Sequence, residues 1–198
     1  MAEAPLLIVL TGPSGAGKDT LADALGSRPG STIGFAVTAT TRPPREAEAD
    51  GRDYHFVSDA EFERMIRDGE MLEHAIVYGQ RKGVPINSVR RVLGAGKDVL
   101  LRTDVQGARF IRARVPGALT IFVAPPSREE MERRLRDRAS ETEEQLSLRL
   151  KTASEEMDAA AEFDYTVVND DLERAAAEIE AIIAAERKRP GREPLSLQ

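Results

Sequence analysis

The chain has 198 residues, a net charge of −6 and no cysteine. This length suits a single well-packed core, the negative charge argues against a nucleic-acid-binding protein, and the lack of thiols excludes disulfides, thiolate metal sites and cysteine nucleophiles. The apolar run Leu6–Leu10 is too short to cross a membrane and lacks the flanks of a signal peptide. We therefore expect a cytoplasmic protein without a membrane or nucleic-acid partner, and the sequence leaves homo-oligomerisation open.

The predicted elements alternate between strand and helix, which is typical of a parallel sheet covered by helices. The first strand, Leu6–Leu10, is apolar without alternation, so we expect it to be buried on both faces. The further core elements are a helix from Lys18–Leu25, a strand Ile33–Thr38, a strand Asp98–Asp104 with helix Gln106–Val115, a strand Leu119–Val123 with helix Arg128–Arg138, and a strand Tyr165–Val168 with helix Leu172–Ile183.

Two segments depart from this rhythm. Residues 40–91 predict a small mixed insert with a helix Asp59–Arg67 and a strand Leu72–Tyr78, and residues 136–156 predict a polar, mobile helical lid. The end of the chain carries prolines and charges, so a frayed tail is expected. The predicted units are a core of residues 1–39, 92–135 and 157–187, the insert 40–91, the lid 136–156 and the tail 188–198.

A glycine-rich loop of the phosphate-binding type follows the first strand. Gly12, Gly17 and Lys18 satisfy the pattern G-x-x-x-x-G-K between a strand and a helix. Glycines let the backbone direct its N–H groups at an anion, the helix adds the positive end of its dipole, and the lysine adds a full charge. We predict a nucleoside polyphosphate site formed by Gly12, Pro13, Ser14, Gly15, Ala16, Gly17, Lys18, Asp19 and Thr20.

Asp19 stands where this loop normally has a serine or threonine whose hydroxyl holds Mg²⁺. Its carboxylate is a hard oxygen ligand, so Asp19 is a candidate metal ligand. An acidic residue in the first turn of a helix is also favoured by the helix dipole alone. The sequence leaves both interpretations open.

A second group of phosphate-binding residues lies between Thr38 and Phe56. Arg42 and Arg45 are on a proline-stiffened stretch beside three threonines, and Tyr54 follows on a short strand. Arginine forks match phosphate oxygens two at a time. The density of such groups favours a second phosphate site over a solvated loop.

Over residues 6–183, the order of these and further motifs resembles that of the guanylate kinase family. The ordered motifs are GPSGAGK, TATTRPPR, DGRDYHFVS, GEMLEHAIVYG, TDVQGA, PPSREEMERRLRDR and VVND. The resemblance implies a three-layer α/β P-loop fold with a parallel core sheet, a mixed GMP-binding insert and a helical lid. It also implies transfer of the γ-phosphoryl group of ATP to GMP or dGMP with Mg²⁺, as part of nucleotide salvage and GTP precursor supply.

The resemblance assigns roles in the acceptor site to particular residues. Two carboxylates facing the N1–H and the 2-amino group would select guanine, because adenine offers neither donor. The implied GMP-binding set is Thr38, Glu73 and Asp104 for the base, with Arg42, Arg45, Tyr54 and Lys82 for the phosphate.

The resemblance also implies a group of lid and donor-site residues. Arg134 and Arg138 share one helical face, Arg149 follows on the lid, and these arginines would close over the polyphosphate. Asn169 matches a residue near the nucleotide base. The implied catalytic residues are Lys18, Arg42, Arg134, Arg138 and Arg149.

Four positions depart from the family pattern. Asp19 is an added acid in the loop, and Arg102 stands where the family has an acid, so we expect Asp19 to support the metal and to pair with Arg102. Lys82 replaces a tyrosine that touches the GMP phosphate, and Val84 replaces a hydroxyl near the base. We therefore expect weaker GMP binding with guanine selectivity retained.

Two alternative functions are considered. A related kinase of ribosyl bisphosphates also has Gly-Lys-Asp in its loop, which Asp19 supports. A non-catalytic guanylate-kinase-like module would bind protein partners, and such modules typically have a degraded phosphate loop. The guanine-selecting Glu73 and the intact loop favour guanylate kinase over both.

Overall fold

The computed structural model describes residues 4–77, 79–136 and 143–197. Nine strands, seven α-helices and one short 3-10 turn are found in these ranges. In chain order they are β1 (Leu7–Thr11), α1 (Lys18–Ser27), β2 (Ile33–Phe35), β3 (Thr38–Thr40), β4 (Tyr54–Phe56), α2 (Asp59–Arg67), β5 (Met71–Val77), β6 (Gln80–Pro85), α3 (Ile86–Gly94), β7 (Asp98–Arg102), α4 (Val105–Arg114), β8 (Leu119–Ala124), α5 (Arg128–Arg136), α6 (Glu143–Met157), the 3-10 turn (Ala160–Glu162), β9 (Tyr165–Val168) and α7 (Leu172–Lys188).

The core sheet has five parallel strands in the order β2-β7-β1-β8-β9. All five residues of β1 are buried, as expected for an apolar run covered on both faces. Leu10 of β1 is paired with Arg102 of β7, and Thr11 is paired with Phe122 of β8. The carboxyl ends of these strands therefore meet at one edge, where open α/β sheets bind ligands.

Helices cover both faces of the core sheet. Leu21 and Ile179, from α1 and α7, pack in one apolar cluster with alternate residues of β1. Val89 and Ile111, from α3 and α4, pack in a second cluster with Leu7 and Val9 of that strand. The predicted three-layer α/β architecture is confirmed.

A second sheet of four strands, in the order β4-β3-β6-β5, stands beside the core. The pair β3–β4 is parallel, whereas β3–β6 and β5–β6 are antiparallel. Phe62 of α2 is buried against Ala39 and Met71, giving this sheet its own small apolar cluster. The helix predicted over Asp59–Arg67 has these bounds in the structure.

One predicted strand is divided between the two sheets. Ile33–Thr38 was expected as a continuous strand, but Ile33–Phe35 pairs with β7 and Thr38–Thr40 pairs with β4 and β6. The chain leaves the core at Ala36 and Val37, and apolar patterning cannot show such a change of strand partner.

The polar segment predicted as a lid contains helix α6, which packs on α5. Met131 and Leu135 of α5 form a small apolar cluster with Ala153 of α6. Residues 137–142 lie outside the described ranges.

The end of the chain makes specific contacts, although the sequence predicts a frayed tail. Ser196 N–H donates to Pro116 O at 3.1 Å, and Arg192 Nη2 donates to Gly117 O at 2.6 Å. Leu195 and Leu197 pack against the cluster that includes α3 and α4. These apolar side chains lie among the charges and prolines that suggested a frayed end.

None of the helices in residues 4–77, 79–136 and 143–197 combines the length and the hydropathy of a transmembrane segment.

Candidate active site

The loop between β1 and α1 has a backbone that requires glycine at two positions. Gly12 has φ 136°, and a Cβ there would lie 2.2 Å from Val123 O. Gly17 has φ 82°, and a Cβ there would lie 2.4 Å from Asn169 Nδ2. Side chains at these positions would be strained and would collide with their neighbours. The loop can therefore bring its N–H groups close to an anion, as the sequence predicts.

Lys18 begins α1 and reaches back across the loop. Its Nζ donates to Gly12 O at 2.6 Å and to Pro13 O at 3.0 Å. The ammonium thus lies over the loop, at the positive end of the α1 dipole. The structure places the predicted lysine, loop and helix start together.

Asn169 braces the loop. Its Nδ2 donates to Ala16 O at 2.8 Å, and the residue is buried. The resemblance places it near the nucleotide base, whereas in this structure its amide group is bound to the loop backbone. A buried amide that satisfies a loop carbonyl restricts the motion of the loop.

The described arginines of the lid region reach the loop from α5 and α6. Arg149 Nη2 donates to Ser14 Oγ at 2.8 Å. Arg134 Nη2 donates to Asn169 O at 3.3 Å, and its Nε donates to Glu130 Oε1 at 2.8 Å. Arg138 lies outside the described residues. Two of the three predicted lid arginines therefore border the glycine-rich loop or Asn169 beside it.

Two carboxylates near these arginines were not singled out by the sequence. Hydrogen bonds from Arg133 and Arg134 lower the pKa of Glu130 to about 2. Burial raises the pKa of Glu156, which lies near Lys18 and the Ser14 N–H group. For Glu130 a signal existed, since it precedes Arg134 by one helical turn.

A cavity of about 430 Å³ opens at the carboxyl end of β7. It brings together the predicted base- and phosphate-binding side chains from both sheets, with the exception of the two arginines described below. Its lining includes Asp19, Phe35, Thr38, Tyr54, Glu73, Lys82, Val84, Arg102 and Asp104.

Glu73 and Asp104 supply two carboxyl groups to this cavity. Burial, and then the negative charge of Asp104, raise the pKa of Glu73 from 4.5 to about 7. Asp104 also caps α4, because its Oδ1 accepts from Gly107 N–H at 2.7 Å. A ligand that presents adjacent N–H donors would satisfy both carboxylates and favour the ionised form of Glu73.

Arg42 lies next to the cavity rather than in its lining. Glu48 holds it with two hydrogen bonds of 2.6 Å, from Nη1 to Oε2 and from Nη2 to Oε1. Its Cζ lies 4.8 Å from the Tyr54 ring centroid and 5.5 Å from that of Phe56. These hydrogen bonds lower the pKa of Glu48 to about 2 and raise the pKa of Arg42. Arg42 is therefore fixed beside the predicted phosphate-binding tyrosine.

Arg45 is exposed and does not line the cavity. Its backbone N–H donates to Glu48 Oε2 at 2.8 Å, which ties the proline-stiffened loop to the same carboxylate. Sequence reasoning missed Glu48, although an acid closely following two arginines was a signal for an ion pair.

The residues near Asp19 fit a magnesium ion that is held mainly by substrate. Within residues 4–77, 79–136 and 143–197 there is no cluster of three or more acidic, histidine or cysteine ligands. Asp19 is 75% exposed in the first turn of α1, with the exposed Thr20 beside it. Mg²⁺ typically uses one or two carboxylates, several waters and substrate phosphates, so this donor set is sufficient.

The expected pairing of Asp19 with Arg102 is present. Arg102 Nη1 lies 3.6 Å from Asp19 Oδ1 and 3.3 Å from Asp23 Oδ1. Both pairs are exposed, so their net contribution to stability is small.

The chain is similar to known proteins over nearly its whole length. The family model described as "Guanylate kinase" matches residues 5–186. A guanylate kinase of Alkalilimnicola ehrlichii is 45% identical over 96% of this chain and 93% of its own length. One of Symbiobacterium thermophilum is 47% identical over 97% of this chain and 90% of its own. The crystal structure of guanylate kinase from Anaplasma phagocytophilum superposes with a TM-score of 0.72 at 34% identity, covering 96% of this chain and 90% of that one.

Proposed function

The chain belongs to the guanylate kinase family, and we propose that its glycine-rich loop binds ATP while the cavity between its two sheets binds GMP. It catalyses transfer of the γ-phosphoryl group of ATP to GMP, giving ADP and GDP. The observation that carries the site assignment is the position of the loop and of the Glu73–Asp104 pair at the same edge of the core sheet. We extend the proposal to dGMP, because it presents the same guanine edge to Glu73 and Asp104 and the same phosphate as GMP.

In the donor site, the backbone and Lys18 hold the polyphosphate. The backbone N–H groups of residues 14–18 and the α1 dipole offset the charge of the phosphates, and Lys18 adds a positive charge against the outer ones. Arg134 and Arg149 border the loop, and we assign Arg138 to the same group by resemblance. These guanidinium groups stabilise the charge that is spread over the transferring phosphoryl group.

In the acceptor site, Glu73 and Asp104 accept from the N1–H and 2-amino groups of guanine, with Thr38 beside them. Arg42, Arg45, Tyr54 and Lys82 hold the phosphate that attacks. That phosphate is already an anion near neutral pH, so the reaction needs no general base. Holding two anions in line is the main task of the protein in phosphoryl transfer.

Mg²⁺ supports the same reaction when it is bound. Asp19 would hold it, directly or through water, and Thr20 lies beside Asp19. The ion would supply charge neutralisation across the β- and γ-phosphates. The protein residues then orient ATP and limit access of water when the lid closes.

We further propose that residues 40–91 act as the acceptor-binding unit, residues 136–156 as the lid, and the remainder up to residue 187 as the core. The cysteine-free sequence agrees with the cytoplasmic location included in the proposal. Light scattering with and without ATP and GMP would test for a homo-oligomer.

The assay that tests the function is release of ADP from Mg-ATP with separate acceptors. GMP and dGMP should support turnover, whereas AMP, UMP and ribose 1,5-bisphosphate should not. Turnover with the ribosyl bisphosphate alone would mean that Asp19 marks a different acceptor. ATP binding without turnover of any acceptor would indicate a binding module.

A further inference from the structure

Arg102 lies between the donor loop and the acceptor cavity. It is the last residue of β7 and is paired with Leu10 of β1, two residues before the loop begins at Gly12. It also lines the cavity together with Glu73 and Asp104. One guanidinium group therefore stands at the boundary that the phosphoryl group must cross.

The contacts that orient Arg102 are weak. Asp19 and Asp23, 3.6 Å and 3.3 Å from its Nη1, are 75% and 71% exposed. The third contact is Phe35, which is 39% exposed and has its ring centroid 5.5 Å from Arg102 Cζ. Exposed ion pairs and cation–π contacts contribute little. An incoming phosphoryl group can therefore replace the aspartates at low cost, and the weak contact with Phe35 leaves the guanidinium able to turn toward it.

Arg102 still has donors for a ligand. In the described part of the chain, its Nη1 faces the two aspartates, and no hydrogen bond engages Nε or Nη2. This edge of a guanidinium matches two oxygens of a phosphoryl group. Arg42 differs, because its Nη1 and Nη2 each already donate a 2.6 Å hydrogen bond to Glu48, which leaves it fewer donors for the acceptor phosphate.

We propose that Arg102 is a further catalytic residue, which contacts the phosphoryl group during its transfer. The bond between the γ-phosphorus and the β–γ bridging oxygen breaks, and the bond from an oxygen of the acceptor phosphate to that phosphorus forms. Arg102 turns its Nε–Nη2 edge to the oxygens in transit and keeps all its protons. The proposal rests on the proposed function, and it gives a role to a residue that departs from the family pattern.

The test compares Arg102→Ala, Arg102→Lys and a control, Arg67→Gln, which removes an exposed guanidinium at the end of α2. Loss of a donor used only in the transition state should lower kcat of R102A on the order of 10²-fold. The GMP dissociation constant, measured by calorimetry, should change by less than about threefold. R102K should retain more activity than R102A, and R67Q should match the wild type.

Chemical rescue separates contact with substrate from a structural role. Millimolar guanidinium ion should raise kcat of R102A and leave the wild type unchanged. An R102A kcat within about threefold of wild type would overturn the proposal. The proposal would also be overturned if R102A lost only GMP binding. The same holds if guanidinium ion did not rescue R102A although its thermal unfolding matched that of the wild type. If R102A does not fold, Arg102→Gln, which removes the charge and keeps a long side chain, is judged by the same criteria for kcat and GMP binding.

Failure of this inference differs from failure of the proposed function. If wild type and R67Q phosphorylate GMP, Lys18→Met does not, and R102A equals wild type, only the role of Arg102 is wrong. If the wild type itself does not phosphorylate GMP, the acceptor assignment is wrong.

Discussion

The phosphate loop and the proposed acceptor cavity offer different parts of the protein to an anion. The loop uses backbone N–H groups between a buried strand and a helix, and Asn169 braces it through Ala16 O. The cavity uses side chains from both sheets, among them Tyr54, Glu73 and Lys82. Backbone donors recognise any polyphosphate, whereas a set of side chains can select one base. Substitutions in the loop should therefore change turnover with every acceptor, and substitutions in the cavity should change the acceptor.

The largest effect is expected from removing the loop lysine. Lys18→Met should lower kcat on the order of 10²- to 10³-fold, because it deletes a charge that stabilises the phosphates in the transition state. Steady-state turnover with GMP and with dGMP should fall by the same factor. The control is Lys97→Met, an exposed lysine in the turn before β7. A loss that depended on the acceptor would break the division between loop and cavity.

The next effect concerns the protonation of Glu73. A pKa of about 7 means that this carboxyl is mostly protonated below neutral pH, and its ionised form is the stronger acceptor for the N–H groups of guanine. The KM for GMP should therefore fall roughly tenfold as the pH rises from about 6 to about 8, as the ionised fraction grows from about a tenth to about nine tenths.

Glu73→Gln provides the matched measurement for this pH dependence. It should raise the KM for GMP and remove the part of the pH dependence that does not come from GMP itself. Glu63→Gln, a surface carboxylate paired with Arg81, should keep the wild-type profile. A Glu73→Gln profile parallel to that of the wild type would contradict the assignment.

A smaller effect is expected at Asp19, the proposed metal ligand. Asp19→Ser should raise the Mg²⁺ concentration for half-maximal turnover by up to about tenfold, which corresponds to about 1.4 kcal/mol. Asp23→Ser removes the neighbouring partner of Arg102 and should leave the Mg²⁺ dependence unchanged. Titration of Mg²⁺ at fixed ATP measures both. If Asp19→Ser keeps the wild-type Mg²⁺ dependence, Asp19 does not bind the metal, and its negative charge serves only to interact with the α1 helix dipole.

The smallest effect is expected from restoring a hydroxyl at Val84. This buried residue lines the cavity and cannot donate a hydrogen bond. Val84→Thr should lower the KM for GMP by up to about fivefold, since one hydrogen bond contributes about 1 kcal/mol. Val57→Thr, a half-buried valine outside the cavity, is the control. An unchanged KM in Val84→Thr would mean that its side chain does not reach the base.

The sequence predicted the donor loop more completely than the acceptor site. Gly12, Gly17 and Lys18 belong to a local strand–turn–helix pattern, and local patterns are visible in sequence. The hydrogen bonds from Arg42 to Glu48 form only because their loop folds back on itself. The division of Ile33–Thr38 into two strands depends on which strands pair. Neither has a periodic signal. The ordered family motifs, rather than spacing, identified Glu73 and Asp104.

The second sheet is attached to the core at two short joins. The chain leaves β2 through Ala36 and Val37, and it returns where β6 ends at Pro85 and α3 begins at Ile86. Leu72 and Val84 are the members of this sheet that pack into the core cluster. In evolutionary terms, the segment between these joins can therefore be exchanged as one unit. A descendant protein that kept both joins and this apolar contact could become specific for a new acceptor while its glycine-rich loop stayed unchanged.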